Sequence, residues 1–190
     1  GSSSSRELYD GEIRYFDDQL RALFRKLKER NWLNNTLVIL TSDHGEGFGE
    51  SPDPNERFFR HVGPPMESVV KIPLILWHPK SWSGVQEDRL SSQVDLAPTI
   101  LDFLKLKVPP EMQGRRILPE TPAGPKDRSV FGEHYKQRGD GIMTYHFVIQ
   151  GHLKLRERTE DRIRHFSLYD LKTNPEESKN LLRNSQSAPP

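Results

Sequence analysis

The chain has 190 residues, of which 33% are apolar, 29% are charged and none is cysteine. With 28 basic against 27 acidic residues, the formal net charge is only +1, so bulk electrostatics gives no reason to expect nucleic-acid binding. No apolar run approaches the roughly 18 residues of a membrane span, and the lack of cysteine excludes disulfides and thiolate metal sites.

Residues 1–5 look like a cloning remnant and are left out of the fold prediction. Residues 7–30 follow with apolar side chains spaced alternately four and three positions apart, which predicts one amphipathic helix. The apolar stripe consists of Tyr9, Ile13, Phe16, Leu20, Leu23 and Leu27. We expect this stripe to pack on a sheet, because about three heptads are short for a coiled coil.

A buried strand is predicted at 37–42, where an apolar run ends in two small polar residues. Asp43 and His44 follow directly, and ligands of open α/β sheets bind beyond the carboxyl ends of the strands. Both side chains are metal-ligand types, so the pair is a candidate metal site. The alternative is that Asp43 caps a turn and that His44 is a solvated loop residue.

Residues 45–68 are rich in glycine, proline and mixed charge and are predicted to form a loop. Long loops in compact domains are usually functional or disordered, and we favour a functional loop because it follows the Asp-His pair. A second strand is predicted at 72–77 and a helix at 94–106. The alternation of helices and strands predicts an α/β domain, with both strands as neighbours in a mainly parallel sheet and both helices packed on it.

The periodicity changes beyond the proline-rich segment 107–128, which predicts a subdomain boundary. Four short strands are predicted after it, at 129–134, 143–150, 152–157 and 165–169. A last helix is predicted to start at Asn174, with Pro175 at its first position and Glu177 completing a capping box. We therefore expect an α/β part at 6–120 and a small antiparallel α+β subdomain at 121–190.

Five segments, in order along the chain, resemble the sulfatases of the alkaline-phosphatase superfamily. They are 9–13 (YDGEI), 35–46 (NTLVILTSDHGE), 70–76 (VKIPLIL), 93–101 (QVDLAPTIL) and 168–177 (LYDLKTNPEE). The family's N-terminal acidic metal ligands and its Cys/Ser-x-Pro/Ala-x-Arg motif, whose first residue matures to formylglycine, have no counterpart here. The resemblance therefore implies the C-terminal portion of a sulfatase-like sandwich, with the nucleophile in a missing N-terminal half.

The resemblance also implies roles for individual residues. Asp43 and His44 correspond to ligands of one divalent ion, commonly calcium in this family. Calcium is therefore favoured. Manganese, magnesium and zinc stay open, because imidazole ligands are more usual on zinc, manganese or iron than on calcium. His61 corresponds to a basic residue that contacts the sulfate or its leaving oxygen, and its alternative is a solvated loop histidine.

Two arginines of the same loop, Arg57 and Arg60, are candidates for binding a sulfate ester substrate such as a sulfated carbohydrate, although loop arginines are usually only solvated. Without nucleophile and complete metal shell, we expect this chain alone to be inactive, and its main partner to be the missing half. The resemblance leaves the compartment open, since relatives are periplasmic, secreted or lysosomal as often as cytoplasmic.

Two other functions stay open at this stage. A phosphodiester or phosphonate monoester hydrolase, or a phosphoglycerol transferase, of the same superfamily would use an Asp-His pair as well. A non-catalytic interaction module would explain why the nucleophile is absent. The segment 168–177 favours the sulfatases over the other enzymes of the superfamily, whereas a stable, well-folded monomer without metal would favour the interaction module.

Overall fold

The structure is a computed structural model that describes residues 4–49, 59–61, 63–81, 84–118, 128–138 and 141–184. The chain divides into two compact units, residues 1–84 and 85–190, which are described one at a time. The predicted boundary between residues 120 and 121 stays a prediction. No helix in the described ranges is both long enough and apolar enough to cross a membrane.

The first unit contains short strands beside one long helix. Its elements are α1 (Ser5–Glu29), β1 (Val38–Thr41), β2 (Gly47–Phe48), β3 (Phe59–Arg60), α2 (Glu67–Val70) and β4 (Leu74–Trp77). The second unit is built around longer strands. Its elements are α3 (Leu96–Phe103), β5 (Ser129–Arg138), β6 (Gly141–Gln150), β7 (Leu153–Glu160) and β8 (Ile163–Asp170).

Helix α1 confirms the helix predicted from the apolar stripe. It begins within the presumed remnant: the backbone N–H of Glu7 donates to Ser4 Oγ (3.3 Å), and the backbone N–H of Ser4 donates to Glu7 Oε2 (2.7 Å). This capping box satisfies two of the backbone donors that a helix start leaves unpaired. Ser4 and Ser5 thus take part in the helix start, while the assignment of residues 1–5 as a cloning remnant stays a prediction.

Helix α1 contacts the strands of the same unit through two aromatic pairs. Tyr9 meets Phe48 edge to face at 5.2 Å, and Phe24 meets Trp77 at 6.2 Å between ring centroids. No residue of α1 is buried, however, because so small a sheet covers only part of the stripe.

Strands β1 and β4 are neighbours, as predicted, but they pair antiparallel, with Val38 opposite Trp77 and Thr41 opposite Leu74. A parallel pair needs a crossover that returns the chain to the opposite end of the sheet. Here the connection leaves and re-enters at the same end, and its described residues form the β2–β3 hairpin and the one-turn helix α2. The prediction of a mainly parallel sheet was wrong for the strands that the structure describes.

The second unit confirms the predicted antiparallel sheet, whose four strands follow one another in the order β5-β6-β7-β8. The segment before the sheet is held by Asp95, which is fully buried. Its carboxylate accepts two hydrogen bonds from Arg128 Nη2 (2.6 and 2.7 Å) and one from the backbone N–H of Arg115 (2.7 Å). Whether α3 packs on β1 and β4 stays a prediction.

The helix predicted to begin at Asn174 does not form, and the described tail has only a 3₁₀ turn at Leu181–Asn184. Glu177 adopts a positive φ of 53°, which no α-helix accommodates. Its side chain is buried, and Oε1 accepts a hydrogen bond from Lys154 Nζ at 2.8 Å. The capping box was the wrong interpretation, because Glu177 serves as the counter-ion of a buried lysine instead.

Candidate active site

The candidate site begins where β1 ends. Thr41 Oγ1 donates a hydrogen bond to the carbonyl of Pro73 (2.9 Å), which ties the end of β1 to the chain entering β4. Ser42 Oγ then donates to the carbonyl of His44 at 2.6 Å. The two small hydroxyl residues thus fold the backbone into a tight turn that presents Asp43 and His44 at the strand end.

Gly45 is needed for close packing. Its backbone N–H donates to the carbonyl of Val69 at 2.7 Å. A Cβ atom at this position would lie 2.1 Å from the carbonyl oxygen of Ser68. The residue therefore lets the site turn press directly against α2.

The His44 ring is held in one orientation. Nδ1 lies 2.8 Å from the carbonyl oxygen of Gly45. A carbonyl can only accept, so this bond uses a proton on Nδ1 and leaves Nε2 as the ring nitrogen that faces Asp43. Metal-binding histidines are commonly oriented by such a bond. Nε2 lies 3.6 Å from Asp43 Oδ2, so a nitrogen and an oxygen donor lie side by side.

The Asp43 carboxylate is exposed and ionised. Its side chain is 85% exposed, compared with 40% for His44. The backbone N–H of His44 donates to Asp43 Oδ1 at 2.9 Å, and this bond is the main reason why the pKa of Asp43 lies below its usual value of 3.8. Asp43 therefore stays ionised throughout the neutral range.

His61 is brought to this pair by a hairpin that the sequence did not predict. In the β2–β3 ladder Gly47 pairs with Arg60 and Phe48 with Phe59, so His61 returns beside the turn after β1. Its ring stacks on that of His44, with centroids 4.2 Å apart and planes at 32°. The structure thus places Asp43, His44 and His61 together, whereas Arg57 and the side chain of Arg60 lie outside the described residues.

Glu46 is a polar residue of this region that sequence reasoning missed. Its Oε1 is buried and has no hydrogen-bond partner among the described residues. A glutamate two positions after the candidate ligands was the only available signal. The described residues contain no group of three or more histidine, aspartate or glutamate side chains placed to hold a metal, so the roles of Asp43 and His44 as metal ligands stay a prediction.

A carboxylate and two imidazoles that lie together at a strand end can bind ions and transfer protons, as the active sites of hydrolases do. Family comparisons give the class: the sulfatase family model matches residues 1–106, and the model for the C-terminal region of N-sulphoglucosamine sulphohydrolase matches residues 64–189. The chain belongs to the sulfatase family of the alkaline-phosphatase superfamily.

Individual relatives are consistent with this family. The chain is 30% identical over 185 residues to an N-acetylglucosamine-6-O-sulfatase of Bacteroides thetaiotaomicron, covering 90% of this chain and 31% of that protein. It is 26% identical over 192 residues to an arylsulfatase of Clostridium perfringens, covering 96% and 37%. A phosphonate monoester hydrolase from Silicibacter pomeroyi has a similar fold, with a TM-score of 0.66, 23% identity and coverage of 90% and 35%. The chain thus spans about a third of the length of these proteins.

Proposed function

We propose that this chain forms part of a metal-dependent sulfuric ester hydrolase, in which Asp43 and His44 bind a divalent ion and His61 faces the leaving-group oxygen. The observation that carries the proposal is the orientation of the His44 ring, whose Nδ1 lies 2.8 Å from the Gly45 carbonyl oxygen and whose Nε2 lies 3.6 Å from a carboxylate oxygen of Asp43. Membership of the sulfatase family supports the sulfuric ester as the bond that is cleaved.

Calcium is the metal that we favour, on the family resemblance, with manganese, magnesium and zinc as alternatives. When bound, such an ion balances the negative charge on the sulfuryl oxygens. Asp43 contributes a charged oxygen and His44 a neutral nitrogen. A nitrogen ligand is more usual for manganese than for calcium, so Mn²⁺ is a suitable ion with which to test the pair.

His61 contributes an imidazole that can hold a proton for the departing oxygen. Its stacking on the His44 ring keeps it next to the metal ligands. The nucleophile, a formylglycine by family resemblance, and the other metal ligands would come from the remainder of the sulfatase polypeptide. The 190 residues alone would therefore show no sulfatase turnover.

The apolar surface of the first unit supports association with that remainder. Along α1 the exposed fractions are 53% for Ile13, 54% for Phe16 and 50% for Leu23, and on β4 Ile75 is 54% exposed. Exposed apolar side chains that lie along one helix indicate an interaction surface. We propose that the missing half of the catalytic domain covers it.

The substrate that we propose is a sulfated carbohydrate, with Arg57 and Arg60 as its anion-binding side chains. Arginine pairs well with sulfate-like oxygens because its guanidinium donates two parallel hydrogen bonds. Support comes from the names of the relatives, one of which is an N-acetylglucosamine-6-O-sulfatase.

Paramagnetic broadening tests the metal ligands without any need for turnover. On titration with Mn²⁺, we expect the imidazole proton signals of His44 and His61 to broaden first in the wild-type chain. Asp43→Ala should weaken this effect at least tenfold, because it removes the charged donor. Lys71→Ala, an exposed residue outside the site, is the matched control. Equal broadening in the Asp43→Ala variant would exclude the proposed site.

Activity assays on the parent polypeptide then separate the candidate chemistries. We expect hydrolysis of an aryl sulfate, lost in the Asp43→Ala variant and reduced in the His61→Ala variant. Faster hydrolysis of an aryl phosphonate would instead favour a phosphonate monoester hydrolase. A chain that binds Mn²⁺ through Asp43 but whose parent cleaves neither ester would be a non-catalytic module.

A further inference from the structure

Strand β7 carries its polar and apolar side chains on unexpected faces. Lys154 is fully buried and Arg156 is 2% exposed, whereas Leu153 and Leu155, which alternate with them, are 42% and 37% exposed. Burying cations while exposing leucines is unfavourable unless both faces are compensated. The cationic face is compensated by Glu177, through Lys154 Nζ at 2.8 Å.

The opposite face presents a continuous apolar row that crosses all four strands. In the sheet register Phe131 is opposite Val148, Val148 is opposite Leu155, and Leu155 is opposite Leu168. Phe131 is 75% exposed, and Tyr135 on the same face is 76% exposed. Such a row on a sheet face indicates that another surface covers it in solution.

Edge pairing is a less suitable way to cover this sheet. On the β8 side, the backbone N–H of Leu168 donates to Asn180 Oδ1 at 3.0 Å, so the tail already occupies part of that edge. The apolar residues also point away from the strand edges, toward the open face. The surface to be covered is therefore the face itself.

We propose that this face is a docking surface for a second copy of the same chain, packed face to face about a two-fold axis parallel to the strands. That rotation keeps each cross-strand row in place and reverses the strand order. It puts β6 over β7 of the second copy, and β5 over β8. Phe131 then lies over Leu168 of the second copy, and Val148 over its Leu155.

The charged residues of the same face fit this symmetry. In the row next to the apolar one, His146 is opposite Glu157 within the sheet, so the two-fold axis places His146 over Glu157 of the second copy. One row further, Tyr135 lies over Arg164 of the second copy, an arrangement suited to a cation–π contact. Along the apolar row, apolar residues meet apolar ones, while His146 and Arg164 meet an acidic and an aromatic residue; at the ends of the neighbouring row, Glu133 lies over Phe166. The central contacts have the complementarity that an isologous interface requires.

The size of the face sets the expected affinity. Four strands at a spacing of about 4.8 Å, each contributing about eight residues of 3.3 Å, give a footprint of about 500 Å² per copy. Twice this area, about 1,000 Å², is at the low end of specific interfaces. We therefore expect a dimer with a dissociation constant in the micromolar range.

Sedimentation equilibrium of the complete 190-residue chain, from about 1 to 200 µM, tests the proposal. The wild type should fit a monomer–dimer equilibrium. V148E and L155K should each raise the dissociation constant at least tenfold. An equimolar mixture of these two variants should recover the dimer, because the symmetry places the introduced carboxylate against the introduced ammonium across the interface.

Two further variants guard against misfolding and non-specific association. Phe131→Ser changes a side chain that is 75% exposed, so it should keep the fold and still weaken the dimer. Phe16→Glu on α1 is the matched control and should leave the dimer unchanged. A wild type that stays monomeric at 200 µM, a dimer unaffected by Phe131→Ser, or two folded variants that do not pair when mixed would each overturn the proposal.

Discussion

The two units of the chain differ in how much of their surface they bury themselves. Among the described residues, the first unit buries one large hydrophobic side chain, that of Met66. The second unit buries five, those of Leu118, Met143, Tyr145, Ile149 and Tyr169. Its strands are eight to ten residues long, compared with two to four in the first unit.

This difference indicates that the more stable unit is not the one that carries the candidate active site. The second unit has a sheet in continuous register and buried ion pairs, so we expect it to be the more stable of the two. The first unit carries the candidate metal ligands on a turn supported by short strands. Functional loops commonly come from the less stable part of a protein. We therefore expect the geometry of the candidate site in the first unit to change when another polypeptide surface packs on α1 and β4.

The largest effect should come from the buried ion pair of the second unit. Glu177→Ala would leave Lys154, which is fully buried, without its carboxylate, and would also remove the oxygen 3.7 Å from Arg156 Nη1. Breaking one side of a buried pair typically costs about 3–5 kcal/mol. Urea unfolding should show this loss, whereas Glu176→Ala, at the exposed neighbouring position, should change the free energy of unfolding little. Equal effects of both variants would show that the pair is not structurally important.

A smaller effect is expected in the first unit from Gly45→Ala, whose added methyl group would meet the Ser68 carbonyl oxygen. Such overpacking costs about 1–3 kcal/mol. The NMR signals of the His44 and His61 rings should shift as α2 moves away from the site turn.

Gly11→Ala is the matched control, because its Cβ would meet nothing within 4 Å in the middle of α1. This exchange should stabilise the helix by about 0.5–1 kcal/mol. A Gly45→Ala variant as stable as wild type, with unshifted histidine signals, would contradict the close approach.

The smallest effect should come from the surface pair Glu157–Arg164. Arg164 Nε donates to Glu157 Oε1 at 2.6 Å, and this bond is the main reason why the pKa of Glu157 falls from 4.5 to about 2. A lowered carboxyl pKa stabilises the fold fully above pH 4.5, and the contribution is lost as the pH falls toward 2. Because Arg164 is 61% exposed, we expect only about 0.2–1 kcal/mol at pH 7.

Thermal unfolding of Glu157→Gln from pH 7 down to pH 2 measures this difference. The deficit relative to wild type should shrink on acidification, while Glu133→Gln, at an exposed position of β5, should show no such trend. A deficit that grows toward low pH would reverse the sign of the proposed linkage.

Local sequence patterns predicted most helices and strands correctly, but they predicted the pairing direction and contacts between these elements less well. The apolar stripe predicted α1, and alternation with turn residues predicted four antiparallel strands, since both signals lie within a few neighbouring residues. The pairing direction of β1 and β4 was missed, because it depends on where a connection of some thirty residues returns. The contact between His44 and His61 also depends on that connection.

By itself, the sequence determined the family, the helix, the strands and the position of Asp43 and His44 at a strand end. Each of these depends on local spacing or on a contiguous motif. Only the tertiary structure decided which face of β7 is buried, because alternation defines two faces without saying which one turns inward. Glu177, 23 positions after Lys154, makes the cationic face the buried one by supplying a counter-charge. The tertiary structure likewise decided that the segment after Asn174 is a turn, in which Glu177 has a positive φ and reaches Lys154 instead of capping a helix, since that lysine is distant in the sequence.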